Sequence, residues 1–203
     1  MSKLTIRSAA IAAFTLGWAP ALAAQDAPHS TSEVVVPANT AAASSGRIAV
    51  NIAAGDNNQQ LGDAVIAIGD IALVTETVTQ RLSGPSPTDH RTDITIEDGA
   101  FAGTNGLASI NITAGTQNQM ANLAALAIGN SGAMSDQLLE QTRAPIEPKG
   151  GSLEGALPSN DRIAVGDTAF GNGNGLIQVN LIGGEGNSSA NTFALSIVSD
   201  GSP

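Results

Sequence analysis

The chain has 203 residues, with 18 Asp and Glu against 8 Lys and Arg, and a net charge of −10 at pH 7. No basic stripe exists to neutralise phosphates, which excludes nucleic acid as a partner and argues against attraction to anionic lipid. There is no Cys and no Tyr, with one Trp and four Phe, so neither disulfides nor aromatic packing can dominate stability.

Residues 1–23 read as a secretory signal peptide. Lys3 and Arg7 give a positive start, Ala9 to Ala19 a short apolar run, and Ala21-Leu22-Ala23 a small-residue cleavage pattern. Cleavage is expected after Ala23. The run is too short to remain as a stable membrane span. Residues 24–33 are polar and expected to be disordered.

Three copies of one unit follow. They read GRIAVNIAAGDNNQQLGDAVIAIG from Gly46, GLASINITAGTQNQMANLAALAIG from Gly106 and GLIQVNLIGGEGNSSANTFALSIV from Gly175. An I/V-x-I/V triplet precedes each copy: Val34–Val36, Ile94–Ile96 and Ile163–Val165. Phe101 and Phe170 sit five residues before the second and third glycine, with Ala41 in that place in the first. The units span residues 34–69, 94–129 and 163–198. Residues 70–93 and 130–162 are linkers, and 199–203 a tail. A repeated supersecondary unit stacks on its neighbours and shares a core with them.

Each unit predicts three strands. The first is the triplet. In the second, Ile48, Val50 and Ile52 share one face and Ala49, Asn51 and Ala53 the other, a period of two. Ile110 and Ile112, then Val179 and Leu181, repeat that apolar face. In the third strand, Ile66 and Ile68, Leu126 and Ile128, and Leu195 and Ile197 line one face, with small residues such as Ala67, Ala127 and Ser196 opposite. The turn between the second and third strands carries Gly55 and Asn58, Gly115 and Asn118, then Gly184 and Asn187. Gly and Asn tolerate the positive φ of a tight reversal. The turn can close a hairpin or a β-arc whose strands pair with the next repeat. The fold class is therefore all-β, with three imperfect repeats as stacked arcs or hairpins, β-solenoid-like and capable of cross-β pairing.

In the linkers, Val74 to Val78 can extend the preceding strand. Ser135 to Gln141 can form one or two helical turns capped by Ser135. Pro85, Pro87, Pro145, Pro148 and Pro158 beside charged residues act as gatekeepers against premature aggregation.

Catalytic chemistry has no support. His29 and His90 are the only histidines, and neither has the partners of a triad or a zinc site. Gly171 to Gly175 lacks the Lys-Ser/Thr of a phosphate loop. Asp56 and Asp63 become Thr116 and Leu123 in the second copy, so repeated calcium sites are not expected. No cofactor and no metal are expected.

The informative polar set is Asn51, Asn111 and Asn180 in mid-strand, where Asn is disfavoured, with Asn58, Asn118 and Asn187 at the turn. Identical amides stacked at the strand spacing can hydrogen-bond as ladders. Gln59 and Gln119 can add to them; the third copy has Ser188 there.

The runs Val50 to Gln60 and Ile110 to Gln119 resemble the repeats of Fap-type functional amyloids of Gram-negative bacteria, in which imperfect Asn/Gln-rich repeats alternate with variable linkers. A weaker likeness is to curli subunits, whose repeats are shorter and nearly continuous. The Fap resemblance implies a secreted structural protein that builds or nucleates biofilm fibres at the cell surface. It implies self-association, other fibre subunits as partners and passage through the periplasm and an outer-membrane export pore. Major subunits of that family end in Cys-x-x-Cys, which is absent here, so main subunit, minor subunit and nucleator all stay open. The alternative is a monomeric surface adhesin presenting its Asn/Thr/Gln face to a carbohydrate.

Overall fold

The computed structural model describes residues 30–84, 90–143 and 161–199. Residues 1–23, read above as a signal peptide, and Pro85, Pro87, Pro145, Pro148 and Pro158 lie outside the described residues. Among the described residues nine strands run in chain order: β1 (Ser30–Val36), β2 (Ser45–Ala54), β3 (Gln59–Leu82), β4 (His90–Ile96), β5 (Asn105–Ala114), β6 (Gln119–Arg143), β7 (Arg162–Val165), β8 (Asn174–Gly183) and β9 (Ser188–Val198). They form three parallel three-stranded sheets ordered β1-β4-β7, β2-β5-β8 and β3-β6-β9. Each repeat is thus one rung, and every ladder joins a strand to its equivalent one rung away. Val34 pairs in register with Ile94; Ile110 pairs with Val50 on one side and Val179 on the other, and Gln119 with Gln59 and Ser188. The turns are therefore arcs, not hairpins, and the fold is a short β-solenoid.

Alternation in β2, β5 and β8 decides the layering. Their even-numbered apolar face in the first two rungs packs on the β1-β4-β7 sheet. Val34, Val36, Ile94, Ile96, Ile110 and Ile112 are buried in one cluster, with Ile48, Val50, Ile52, Val179 and Leu181 against it. Each side chain fully removed from water there contributes about 1.5–3 kcal/mol. Phe101 and Phe170 close the turn end of this cluster, stacked at 5.3 Å between ring centroids. The opposite face carries the asparagines and meets the β3-β6-β9 sheet. The β2-β5-β8 sheet is therefore the middle layer, and in β5 every residue from Ala108 to Ala114 is buried.

The stretches read as linkers begin as strand. β3 continues past Gly69 to Leu82 and β6 past Gly129 to Arg143, with a register irregularity between Gly69 and Ile71. Beyond it the chain turns back on itself. Ala72 and Val74 pack with Ala125 and Ala127, against Val65, Ala67 and Ala133. Gln59 Nε2 donates to Arg81 O at 2.6 Å and Gln119 Nε2 to Thr142 O at 3.1 Å. Rungs 1 and 2 so gain a fourth layer. Among the described residues rung 3 has no such layer, and β9 ends at Val198.

Val74 to Val78 lies within this extension. No helix forms at Ser135 to Gln141, contrary to the local capping signal. Ser135, Gln137, Leu139 and Gln141 are half-buried, while Met134, Asp136, Leu138 and Glu140 are exposed. That period of two fits parallel pairing with Val74 to Gln80, and the ladder outweighs a single cap. The segment 24–33 is not wholly irregular either: Ser30 to Glu33 pair with His90 to Asp93 in β1.

Candidate functional site

The polar residues singled out above fall into vertical columns. In mid-strand, Asn111 Nδ2 donates to Asn51 Oδ1 at 2.9 Å and Asn180 Nδ2 to Asn111 Oδ1 at 3.0 Å. Asn111 is fully buried and Asn180 nearly so, whereas Asn51 is exposed on the end rung. The column also ties the middle layer to the third: Asn111 Nδ2 reaches Leu61 O at 2.9 Å and Asn180 Nδ2 reaches Ala121 O at 3.1 Å.

A second amide column was not legible. Asn122 Nδ2 donates to Asn111 Oδ1 at 3.0 Å, and Asn191 Nδ2 to Asn122 Oδ1 at 2.9 Å and Asn180 Oδ1 at 3.1 Å. Asn122 and Asn191 each lie four residues after the turn asparagine, a spacing that could have found them. Gly62 in that place in the first copy hides the pattern. A Cβ at Gly62 would meet Ser109 Cβ at 3.1 Å, so rung 1 has little room for the amide.

The arcs repeat one geometry. Asn118 N donates to Asn58 Oδ1 and Asn187 N to Asn118 Oδ1, both at 3.0 Å. In the other direction Asn58 Nδ2 donates to Gly115 O and Asn118 Nδ2 to Gly184 O, both at 2.9 Å. Asn187 has no further rung to reach, and its Nδ2 folds back on Gly183 O at 3.3 Å and Asn118 Oδ1 at 3.2 Å. Gly115 takes φ +120°, and a Cβ there would lie 2.0 Å from Gly184 O. Two residues on, Asn57 and Gln117 take φ of 55° and 57°, and Gly186 in the third copy takes 68°. The divergent third turn thus keeps the same left-handed position with the residue that adopts it most readily.

At the start of the third strand, Gln119 Nε2 donates to Gln59 Oε1 at 3.2 Å. The fourth layer repeats the motif, with Gln141 Nε2 on Gln80 Oε1 at 2.6 Å.

The two apolar faces have opposite fates. Ile48, Val50, Ile52, Ile110, Ile112, Val179 and Leu181 form a dry interface inside the chain, against β1, β4 and β7. Ile66, Ile68, Leu195 and Ile197 are exposed, Ile68 at 75%, with Leu126 and Ile128 half-buried. Ile66, Leu126 and Leu195 line a groove of about 540 Å³ together with Gly46, Leu107 and Leu176 at the start of the middle layer. Ile68, Ile128 and Ile197 lie two residues further along, beyond that start, where no strand among the described residues stands opposite them.

Residues 19–198 match the functional amyloid protein FapB/FapC family. The chain belongs to this family. It is a family of structural amyloid proteins, not of enzymes. No solved structure matches the chain.

Among the described residues of this FapB/FapC-family chain the amide columns end at two faces that no further strand covers. The outer edge strands are β1, β2 and β3 on rung 1 and β7, β8 and β9 on rung 3. Within the chain, Gly115 N donates to Ala54 O at 3.0 Å and Gly184 N to Ala114 O at 3.1 Å. The equivalent groups at the two faces are Gly55 N and Gly183 O. Among the described residues no group of three or more His, Asp or Glu could hold a metal ion.

Among the described residues one titratable group is buried at the rung-1 face. Glu76, in the fourth layer, is 4% exposed and lies against Asp63 of the third. Burial pushes its carboxyl above the usual range, opposed by the hydrogen bond from Gln137 Nε2 at 2.8 Å and reinforced by the Asp63 charge.

Proposed function

We propose that this FapB/FapC-family chain is exported and stacks on copies of itself to build, or to nucleate, cross-β fibres of a bacterial biofilm matrix at the cell surface. Residues 1–23 act as the signal peptide. The remainder crosses the periplasm and leaves through an outer-membrane export pore. Addition is by templating: β1, β2 and β3 of one copy pair with β7, β8 and β9 of another, and the Asn and Gln columns set the register.

The observation that carries this reading is the pair of open end faces on an in-register parallel stack. Each face offers strand edges of the kind that already pair twice within the chain. Asn187 supports it further, because its amide lies where Asn58 and Asn118 reach the glycine carbonyl of the next rung. An incoming Gly55 O would complete the column. The adhesin alternative draws no support from the amides of the middle rung. Asn111, Asn118, Gln119 and Asn122 are buried and cannot present a face to a glycan.

The test is a thioflavin fluorescence time course on residues 24–203, with X-ray diffraction from the product. A lag phase, seeding and a meridional reflection near about 4.7 Å are expected. A soluble monomer with neither seeding nor that reflection would overturn the fibre reading.

A further inference from the structure

The two end faces differ in charge, and the difference is ordered by register. In the outer sheet, Glu33 stands level with Asp93, and Asp93 with Arg162. Arg162 Nη1 lies 3.7 Å from Asp93 Oδ1, and its side chain is 64% exposed on the rung-3 side. Rung 1 ends this column in a carboxylate and rung 3 ends it in a guanidinium. In the arc column, rung 1 ends in Asp56 and rung 3 in Glu185, at equivalent positions. There the like charges have a guanidinium beside them, because Arg143 Nη1 donates to Gly186 O. Four of the other charges meet neutral positions on the opposite face, while Glu76 and Arg81 lie in the fourth layer of rung 1, which has no counterpart among the described residues of rung 3. Arg47 and Asp63 stand in the columns of Leu176 and Thr192. Asp161 and Asp167 stand in those of Ser32 and Ala38.

We infer that, if the chain stacks as proposed above, it accepts a second copy head to tail only, rung 3 against rung 1, with Arg162 of one copy clamped between its own Asp93 and Glu33 of the next. A contact between two rung-1 faces offers Glu33 no cation at its own level of the sheet. A contact between two rung-3 faces brings two Arg162 side chains together. Opposite charge at the correct junction and its absence at the wrong ones is how electrostatics selects orientation more than raw affinity. A junction of this kind does not close on itself and yields a filament.

The test uses full chains carrying Glu33→Arg or Arg162→Glu, with fibre mass measured by sedimentation. Each variant alone makes a like-charge junction and should elongate about fivefold more slowly than the parent at low ionic strength. Mixed in equal amounts, the two can alternate, every junction becomes Arg–Glu, and the rate should return towards that of the parent. A variant that misfolds would not be rescued by mixing. Glu33→Arg leaves the Arg162–Asp93 pair in place, and its defect alone should vanish when salt screens the junction. Parent-like rates for both single variants, or a Glu33→Arg defect untouched by both salt and mixing, would overturn the clamp. Neither outcome would touch the fibre reading, which stands or falls on whether the parent chain assembles at all.

Discussion

At the scale of single residues, position in the column matters more than residue type. Asn51, Asn111 and Asn180 share one register, yet Asn111 is sealed in the middle rung and Asn51 is open to water. Replacing Asn111 by Ala leaves Leu61 O, Asn122 and Asn180 each short of a partner, the two asparagines in a dry space. Such a loss costs about 1–3 kcal/mol. Denaturant unfolding of the monomer should show that loss for Asn111→Ala and less than half of it for Asn51→Ala; equal effects would contradict the burial difference. Glu76 is the second case. Its carboxyl sits above the usual range in the fold, chiefly because burial disfavours the charged form. A group raised in this way contributes stability below its unfolded-state value, and the contribution is lost as pH rises through the folded value. The fourth layer of rung 1 should therefore loosen as pH rises from acid towards neutral. Hydrogen exchange at Ala72 to Leu82 should report it, and Glu76→Gln should flatten the dependence.

Elements are set by what lies across from them. The apolar faces of β2 and β3 look alike in sequence, with alternating Ile, Val and Ala. The first is packed against a sheet along its length, whereas the second runs past the start of the middle layer and leaves Ile68 exposed. Ile110→Ala should cost about 2–5 kcal/mol, because a cavity opens among buried side chains that cannot collapse freely. Ile68→Ala, at a site 75% exposed, should change monomer stability by less than about 0.5 kcal/mol. Paired thermal or denaturant unfolding curves for the two variants would check both. Sequence periodicity predicted both faces equally well, since alternation states that a strand has two sides and not which side is covered. The same limit explains Ser135 to Gln141. A serine cap followed by Leu and Gln favours helix locally, but the stretch lies directly after a strand whose equivalent one rung below continues as strand. Ladder pairing with β3 then decides its conformation.

For the whole molecule, three rungs form one repeat of any stack. With strands about 4.8 Å apart, one copy should advance a fibre by about 14 Å. Mass-per-length measurement by scanning transmission electron microscopy should find one chain in that distance for a single stack. Two chains in one rise would mean paired stacks, and the exposed Ile66–Ile68 side would be the place to look for their contact. A mass-per-length far below one chain would rule out the rung geometry.

The sequence alone determined the repeat, its register and the all-β class. These follow from local periodicity and from copies aligned residue for residue, so Asn51, Asn111 and Asn180 could be matched without coordinates, as could Gly55, Gly115 and Gly184. The Fap-like repeat–linker layout was also visible there. Only the tertiary structure decided that the turns are arcs, that the second strand is the middle layer and that β3 and β6 fold back to add a fourth. It alone brought Glu76 against Asp63, Asn122 against Asn111, and Arg162 to the open end of a carboxylate column. Each of these depends on which layer or rung stands opposite, a contact between residues far apart in the chain that no local pattern encodes.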